Sequence, residues 1–371
     1  FVDDDDDSNG LPEWRRPYAG LFDPVAWPSY DENGDFLNDH DQNGNSFPDY
    51  DEAFVRFRSD RPEFLFGLDM NHNGTIDRFE NDALPDFPYK RDHRGTNIYG
   101  RLRAGPDVVM TTGRQRMHLI SGDGRTKALY VLGAWRHTWY RAGLRVFAQG
   151  TLVQDNIPDD LQQWFQPSGT PGFMRHLSDV LPAQDTWKGT LYADLQHRFG
   201  QGGNFHHRFK WDLARQRSSR QKLRAREGRR TSGFLGAVNR VDWNIPVGAA
   251  FLQPRWKSEF RRDRPYSVRH KIATSVEQTA TLLWSNPLMA ERVSVGYFPR
   301  YGRQKFDTQL QLGVEASRFW LLEGAREEAD GSYSDWAWLT QLTNRSVYLG
   351  YELVTRIGLR ITRRNYAQGA P

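Results

Sequence analysis

One short segment carries side chains of the type and spacing that bind a hard metal ion. Residues 69–80 match the calcium-loop pattern D-x-[DN]-x-[DN]-G-x5-E at every fixed position. Such a loop offers about six to eight oxygen ligands to one Ca2+ ion. The predicted ligands are Asp69, Asn71, Asn73, the carbonyl of Thr75, Asp77 and a bidentate Glu80. The alternative interpretation is a solvated turn rich in Asp and Asn.

Acidic groups of the same kind precede this loop. They comprise Asp5, Asp7, Asn9 and Glu13, then Asp31, Asn33 and Asp35, which lead directly into Asp39, Asp41, Asn43 and Asp49. This pattern resembles the thrombospondin type 3 class of calcium repeats over residues 3–52, whereas residues 69–80 are closer to an isolated EF-hand loop. The resemblance implies several Ca2+ ions that share carboxylates, on a chain with almost no hydrophobic core. The spacing from Asp41 to Asp49 is longer than such repeats normally have.

Charge divides the chain into two parts. Residues 1–94 carry 23 acidic and 9 basic side chains, a net charge of −14. Residues 95–371 carry 23 acidic and 41 basic side chains, a net charge of +18. The acidic part repels itself and needs cations to become ordered. We therefore predict a calcium-binding segment over residues 1–94 and a separate domain over residues 95–371. The overall charge of +4 describes neither part, and no nucleic-acid partner is predicted from it.

Composition and motifs exclude several classes of protein. Cysteine is absent, which excludes disulfides, thiolate zinc sites and cysteine nucleophiles. The chain has no run of about 18 apolar residues, so transmembrane helices are not predicted. It also contains no G-x-S-x-G, H-E-x-x-H or P-loop motif. We predict that the protein is not an enzyme. The remaining enzymatic alternative is a Ser/His pair that only folding brings together.

From about residue 95 the sequence alternates apolar and polar residues, as β-strands with two different faces do. The alternating segments are 127–137, 142–154, 191–199, 205–213, 234–246, 250–262, 272–284, 291–301, 306–316, 333–343 and 346–363. In the last of these, the apolar face carries Leu349, Leu353, Ile357 and Leu359, and the polar face carries Arg356 and Arg360. We expect the apolar face to contact lipid and the two arginines to point inward.

These segments are long, and aromatic residues lie near their ends. Strands of soluble proteins average about 5–6 residues, whereas a tilted strand needs about 9–11 to cross a bilayer. The aromatic residues include Trp135, Trp187, Trp243, Trp336 and Tyr366. Aromatic girdles at both interfaces are typical of transmembrane barrels. Residues 95–371 therefore resemble bacterial outer-membrane β-barrel proteins.

The resemblance implies an all-β fold, an antiparallel transmembrane β-barrel of about 12–14 strands. It also implies a location in the outer membrane of a Gram-negative bacterium, in contact with lipid. The C-terminus departs from that family, since the chain continues past Tyr366 instead of ending on an aromatic residue. The alternative fold is a soluble β-sandwich or lectin with one packed face and one wet face.

Basic side chains recur on the polar faces of the predicted strands. They are Arg145, Arg198, Arg208, Lys210, Arg240, Arg300, Arg356 and Arg360. An interior lined in this way either conducts anions or is cross-linked by pairs with Asp and Glu, and both alternatives stay open. Two long connections, residues 155–187 and the strongly basic residues 215–230, are predicted to be loops.

Together these patterns predict a non-enzymatic outer-membrane protein with a calcium-stabilised surface segment on the extracellular side. It would act as a conduit, a scaffold or a docking platform. A secreted calcium-dependent adhesin or carbohydrate-binding protein and a membrane-embedded hydrolase are the alternatives. The first residues, Phe-Val followed by a run of Asp, are not a signal peptide. We expect a larger polypeptide or assembly, with partner strands or subunits contacting residues 1–94.

Overall fold

The computed structural model describes residues 47–64, 93–157, 162–165, 173–176, 184–217, 228–293, 304–323, 332–348 and 351–366. Within these residues the chain is all-β, and its helical elements are two 3-10 turns, Asp49–Asp51 and Pro62–Phe64. Across the same residues, no helix combines the length and the apolar character needed to cross a membrane. The predicted all-β class is therefore confirmed.

The strands follow one another along the chain. They are β1 (His93–Ala104), β2 (Val108–Leu119), β3 (Arg125–Thr138), β4 (Ala142–Asp155), β5 (Gln162–Phe165), β6 (Phe173–His176), β7 (Thr186–Phe199), β8 (Gly203–Gln216), β9 (Thr231–Trp243), β10 (Ile245–Val247), β11 (Ala250–Arg264), β12 (Ala273–Val293), β13 (Gln304–Glu323), β14 (Tyr333–Tyr348) and β15 (Tyr351–Tyr366).

Thirteen of these strands form one antiparallel sheet. Their order is β1-β2-β3-β4-β7-β8-β9-β11-β12-β13-β14-β15, with the short β10 paired to β11, while β5 and β6 form a separate hairpin. The sheet is thus an up-and-down meander, and the predicted antiparallel arrangement is confirmed. Strands β1 and β15 are its edges and do not pair with each other, so the sheet formed by the described residues is not closed into a barrel.

The sequence pattern misplaces some strand limits. It does not reveal β1 or β2. In β1, Gly100 interrupts the apolar row of Ile98 and Leu102. It also predicts one strand over residues 346–363, whereas the structure has two antiparallel strands there, and Tyr348 at the end of β14 pairs with Tyr351 at the start of β15.

Two further segments of the pattern also differ from the structure. The segments 272–284 and 291–301 are separate in the sequence pattern, whereas β12 continues to Val293. Leu349 and residues 294–303 lie outside the described residues.

Connections differ between the two ends of the strands. One end, called the turn end, has the short connections 105–107, 139–141, 200–202, 244–249 (which contains β10) and 349–350, and also 294–303. Gly200 and Gly202 in one of these turns have φ values of +56° and +84°, which glycine adopts without steric cost. The other end, called the loop end, has the connections 120–124, 156–185, 217–230, 265–272 and 324–332. Strand β1 begins and β15 finishes at the loop end.

The two faces of the sheet have opposite character. The inner face carries charged side chains, many of them buried, including Asp194, Arg240, Lys257, Glu277 and Asp335. The outer face carries exposed apolar side chains, including Ile98, Leu102, Met110, Leu129, Val131, Leu282, Leu353, Ile357, Leu359 and Ile361. Since successive residues of a strand point to opposite faces, the sequence alternation accounts for this division.

Candidate functional site

Residues 47–64, here called the inner segment, lie against the inner face of the sheet. Their side chains contact strands from β8 to β15, as in the pairs Asp60–Arg208 and Glu52–Arg360. The inner segment is not a strand of the sheet, so ion pairs and side-chain hydrogen bonds attach it in place of a β-ladder. This contact between the predicted calcium segment and the sheet is the most extensive charged site of the described residues.

Arg56 lies at the centre of the site and is fully buried. Its Nε atom is 3.1 Å from Glu315 Oε1, its Nη2 atom is 3.0 Å from Asp335 Oδ2, and its Nη1 atom is 3.6 Å from Glu277 Oε1. Burial by itself would lower the pKa of the Arg56 guanidinium, but these three carboxylates raise the pKa above its ordinary value. Arg56 therefore remains charged and joins strands β12, β13 and β14.

Arg61 makes a second buried bridge of the same kind. It lies 3.4 Å from Glu259 Oε1, 3.2 Å from Glu277 Oε2 and 2.8 Å from Asp51 Oδ1, measured from its Nε and Nη2 atoms. Its guanidinium also lies over the ring of Tyr50, 4.7 Å from the centroid. Burial alone would lower the pKa of Arg61, yet the surrounding carboxylates raise it well above its ordinary value.

Asp60 has the opposite charge and meets basic side chains of the sheet. Its carboxylate contacts Arg208 at 2.5 Å, Arg240, and the Lys257 ammonium at 3.4 Å. Lys257 Nζ also donates a hydrogen bond of 2.7 Å to the carbonyl oxygen of Ser59. Burial alone would raise the pKa of the Asp60 carboxyl, but the three cations hold the pKa well below its usual range.

Aromatic side chains fill the space beside these ion pairs. Phe64 is fully buried and packs edge to face on Phe234, with ring centroids 5.5 Å apart. Gly236 and Gly313 leave room for the inner segment, because a Cβ atom at Gly236 would lie 2.5 Å from the Phe64 ring and one at Gly313 would lie 2.8 Å from the Phe54 ring. Phe54 has a φ of +67°, a conformation that is uncommon for a residue with a side chain.

A neighbouring charged cluster extends the site towards β4. Asp194 of β7 accepts a hydrogen bond of 3.0 Å from Arg145 and lies 2.7 Å from His206 Nε2. Arg208 lies 3.5 Å from the same carboxylate and also pairs with Asp60. The cluster is therefore continuous with the contacts of the inner segment.

Most of the basic residues predicted on the polar faces belong to these networks. Arg145, Arg208 and Arg240 pair with carboxylates of the inner face or the inner segment. Lys210 lies 3.1 Å from Asp212 Oδ2 and donates to the carbonyl oxygen of Glu63, and Arg360 pairs with Glu52. Arg198 and Arg356 are exposed, and Arg300 lies outside the described residues. Of the two alternatives for the interior, cross-linking accounts for five of the eight predicted residues.

The predicted calcium ligands lie almost entirely outside the described residues. These are Asp5, Asp7, Asn9, Glu13, Asp31, Asn33, Asp35, Asp39, Asp41, Asn43, Asp69, Asn71, Asn73, Thr75, Asp77 and Glu80. Asp49 is described, and it is buried in the first 3-10 turn of the inner segment. Within the described ranges, no group of three or more His, Asp or Glu residues is arranged to hold a metal ion.

Sequence reasoning missed the role of the inner segment, although its composition carries a signal. Residues 51–64 interrupt the acidic repeats with Arg56, Arg58 and Arg61 and with three phenylalanines. A solvated calcium repeat has no need of such residues, and their presence indicates a packed surface. Arg58 is exposed, whereas the other two arginines are buried.

His206 and His207 are adjacent in β8 and point to opposite faces of the sheet. His206 contacts Asp194 of the inner face, and His207 lies 2.7 Å from Asn239 in the opposite direction.

Comparisons of the chain with protein families, with curated proteins and with solved structures gave no match.

Proposed function

We propose that this chain is a non-enzymatic outer-membrane protein whose sheet belongs to a transmembrane β-barrel. In this proposal the inner segment fills the interior, so the protein serves as a scaffold and docking platform in place of an open conduit. The observation that carries the proposal is that charged side chains are buried on one face of the sheet while apolar side chains are exposed on the other. Ion pairs are buried on the inner face, while Leu353, Ile357 and Leu359 are 60–70% exposed on the outer face. Lipid contact would remove that apolar surface from water.

The length of the strands supports the same proposal. The twelve consecutive main strands contain between 12 and 21 residues each, which exceeds the 9–11 or so that a tilted strand needs to cross a bilayer.

The placement of aromatic residues agrees with two membrane interfaces. Trp135, Trp139 and Trp243 are exposed near the turn end, and Trp336 and Tyr366 are exposed near the loop end. Trp and Tyr favour such interfaces because their rings combine an apolar body with a polar group.

The connections support an orientation. Outer-membrane barrels have short periplasmic turns and longer extracellular loops. The loop end would therefore face outward, and β1 begins there at His93, later in the chain than the predicted calcium loop at residues 69–80. This agrees with an extracellular calcium segment whose ions stabilise the chain on either side of the inner segment.

The unpaired sheet edges set one requirement for the proposal. Edge strands β1 and β15 would leave backbone N–H and C=O groups without partners in lipid, at several kcal/mol per group. The two edges run in opposite directions, so they can pair with each other or with additional antiparallel strands. The proposal therefore requires that both edges be covered in the membrane.

The decisive test is how the full chain behaves on extraction. We expect it to partition with outer membranes, to require detergent for solubility, and to migrate differently on gels before and after boiling. A calcium-dependent adhesin would instead be soluble without detergent and show no heat-dependent migration, and that result would overturn the membrane proposal.

A further inference from the structure

Four carboxylates form a row across the inner face that the sheet alone does not neutralise. Glu259, Glu277, Glu315 and Asp335 lie on the consecutive strands β11 to β14 and are each 3–7% exposed. Glu259 and Glu277 are directly opposite each other in the register. Like charges in that position destabilise a sheet unless a cation lies between them. We call these four residues the acidic row.

Some neutralisation does come from neighbouring strands. Lys257 and Arg261 lie 3.5 Å and 2.9 Å from Glu259, and Arg364 lies 2.8 Å from Asp335. Glu277 and Glu315 lie in the row between Glu259 and Asp335. Their close cationic contacts come from Arg56 and Arg61 of the inner segment. The central part of the acidic row is thus suited to two guanidinium groups.

The inner segment meets the acidic row as a peptide ligand meets a receptor. Its main chain also takes part. The Phe54 N–H donates a hydrogen bond of 2.8 Å to Glu315 Oε2, and the Arg56 carbonyl oxygen accepts one of 3.0 Å from Lys257 Nζ. Guanidinium groups suit such a site because their planar fork pairs with carboxylates in a fixed geometry. The contacts therefore depend on two arginines at a defined spacing and on an irregular backbone.

We propose that the acidic row is a binding site for a peptide with two arginines spaced like Arg56 and Arg61, and that the inner segment is its tethered occupant. Because it is tethered, the inner segment binds intramolecularly, at an effective concentration set by the chain that joins it to the sheet. An arginine-bearing segment of a partner protein would have to compete with it. This inference deepens the docking role proposed above and rests on it for the membrane setting, while the site itself requires only the sheet.

The experiment compares full-length variants for binding of a labelled synthetic peptide. The probe has the sequence of residues 50–64, and its control has Gln in place of both Arg56 and Arg61. In the variant R56Q/R61Q the contacts between the inner segment and the acidic row are weakened. The variant R58Q removes one positive charge of the same kind at an exposed position. Fluorescence anisotropy gives the affinity of each combination in the solvent that keeps the protein soluble, with or without detergent.

We expect the R56Q/R61Q protein to bind the arginine peptide at least tenfold more tightly than wild type or R58Q does. We also expect protease cleavage within residues 47–64 to increase in R56Q/R61Q and not in R58Q. Equal binding of both peptides, equal binding by all three proteins, or unchanged cleavage in R56Q/R61Q would overturn the inference. Circular dichroism of the β-sheet checks that the variant is folded, and R56Q alone provides the milder change if the double variant is not. A failed extraction test leaves these results unaffected, so the two proposals are tested separately.

Discussion

At the scale of residues, burial separates arginines that look alike in the sequence. Arg56, Arg58 and Arg61 lie close together in one segment, yet Arg56 and Arg61 are each surrounded by three carboxylates and Arg58 is exposed. Removing one partner of a buried ion pair typically costs about 3–5 kcal/mol, because the remaining charges are left without compensation. Exposed substitutions usually change stability by about 0.5 kcal/mol or less.

Because Asp60 is ionised in its ion pairs with the sheet, we predict that the attachment of the inner segment depends on pH. Its pKa is lowered in the folded protein, so its ionised form stabilises the folded state above the ordinary Asp range near pH 4. That contribution is lost as the pH falls from there towards the lowered folded pKa. We expect cleavage of residues 47–64 by an acid-active protease to rise below about pH 4.

The variant D60N should show weak protection already at neutral pH and a smaller change on acidification. D123N is the matched control, because Asp123 is an exposed carboxylate in the connection between β2 and β3. If D60N and D123N followed the wild-type pH profile equally, the role given to Asp60 would be wrong.

At Gly313 the inner segment lies so close to the sheet that there is no room for a larger side chain. A Cβ atom there would lie 2.6 Å from Leu283 Cδ2 and 2.8 Å from Phe54 Cε1. Overpacking of this kind costs about 1–3 kcal/mol, so G313A should lower the free energy of unfolding and loosen the inner segment. G150A is the control, since a Cβ at Gly150 has no atom within 4 Å among the described residues. Equal denaturation midpoints for the two variants would contradict the prediction.

At the scale of elements, β15 shows both faces of the sheet in one strand. Leu353, Ile357 and Leu359 are exposed on the outer side, whereas Arg360 and Arg364 pair with Glu52 and Asp335 on the inner side. The alternation of the sequence predicts this division correctly. The boundary between β14 and β15 escapes the pattern, because only two residues separate the strands and the alternation continues across them.

This strand gives a direct test of lipid contact. Ile357 lies near the middle of β15 and is 70% exposed. Replacing it with Arg should cost about 2–4 kcal/mol if it faces the middle of a bilayer. R356Q, on the adjacent polar position, should cost much less. Unfolding by denaturant in lipid vesicles measures both, and equal tolerance at the two positions would favour a soluble sheet.

At the scale of the whole molecule, the acidic and basic parts of the chain combine into one structure. The inner segment belongs to residues 1–94 by composition, yet it lies against strands of residues 95–371. The division of charge along the sequence therefore does not coincide with a division of the structure, because residues 47–64 of the acidic part contact the sheet. The acidic part supplies the two guanidinium groups at the centre of the acidic row, Arg56 and Arg61, and a carboxylate, Asp60, for the basic side chains beside it.

Removal of calcium should affect the acidic part unevenly. Chelation is expected to make residues 1–46 and 65–92 sensitive to protease, since loops of this kind depend on bound ions for order. Residues 47–64 should be cleaved more slowly, because ion pairs with the sheet hold them, and the strands should stay protected. Mass spectrometry of the fragments locates the cuts. Unchanged proteolysis after chelation would contradict a structural role for calcium.

The sequence by itself determined the all-β class, the antiparallel strands and the polar face that carries Arg208, Arg240 and Arg360. These features follow from a local two-residue period, which every strand carries in its own residues. Only the tertiary structure decided that Arg56, Asp60 and Arg61 would occupy the inner face and that β1 and β15 would be edges. The Arg56–Asp335 and Arg360–Glu52 contacts join residues 279 and 308 positions apart. No local pattern encodes such pairs, because partners for buried charges are chosen when the strands assemble.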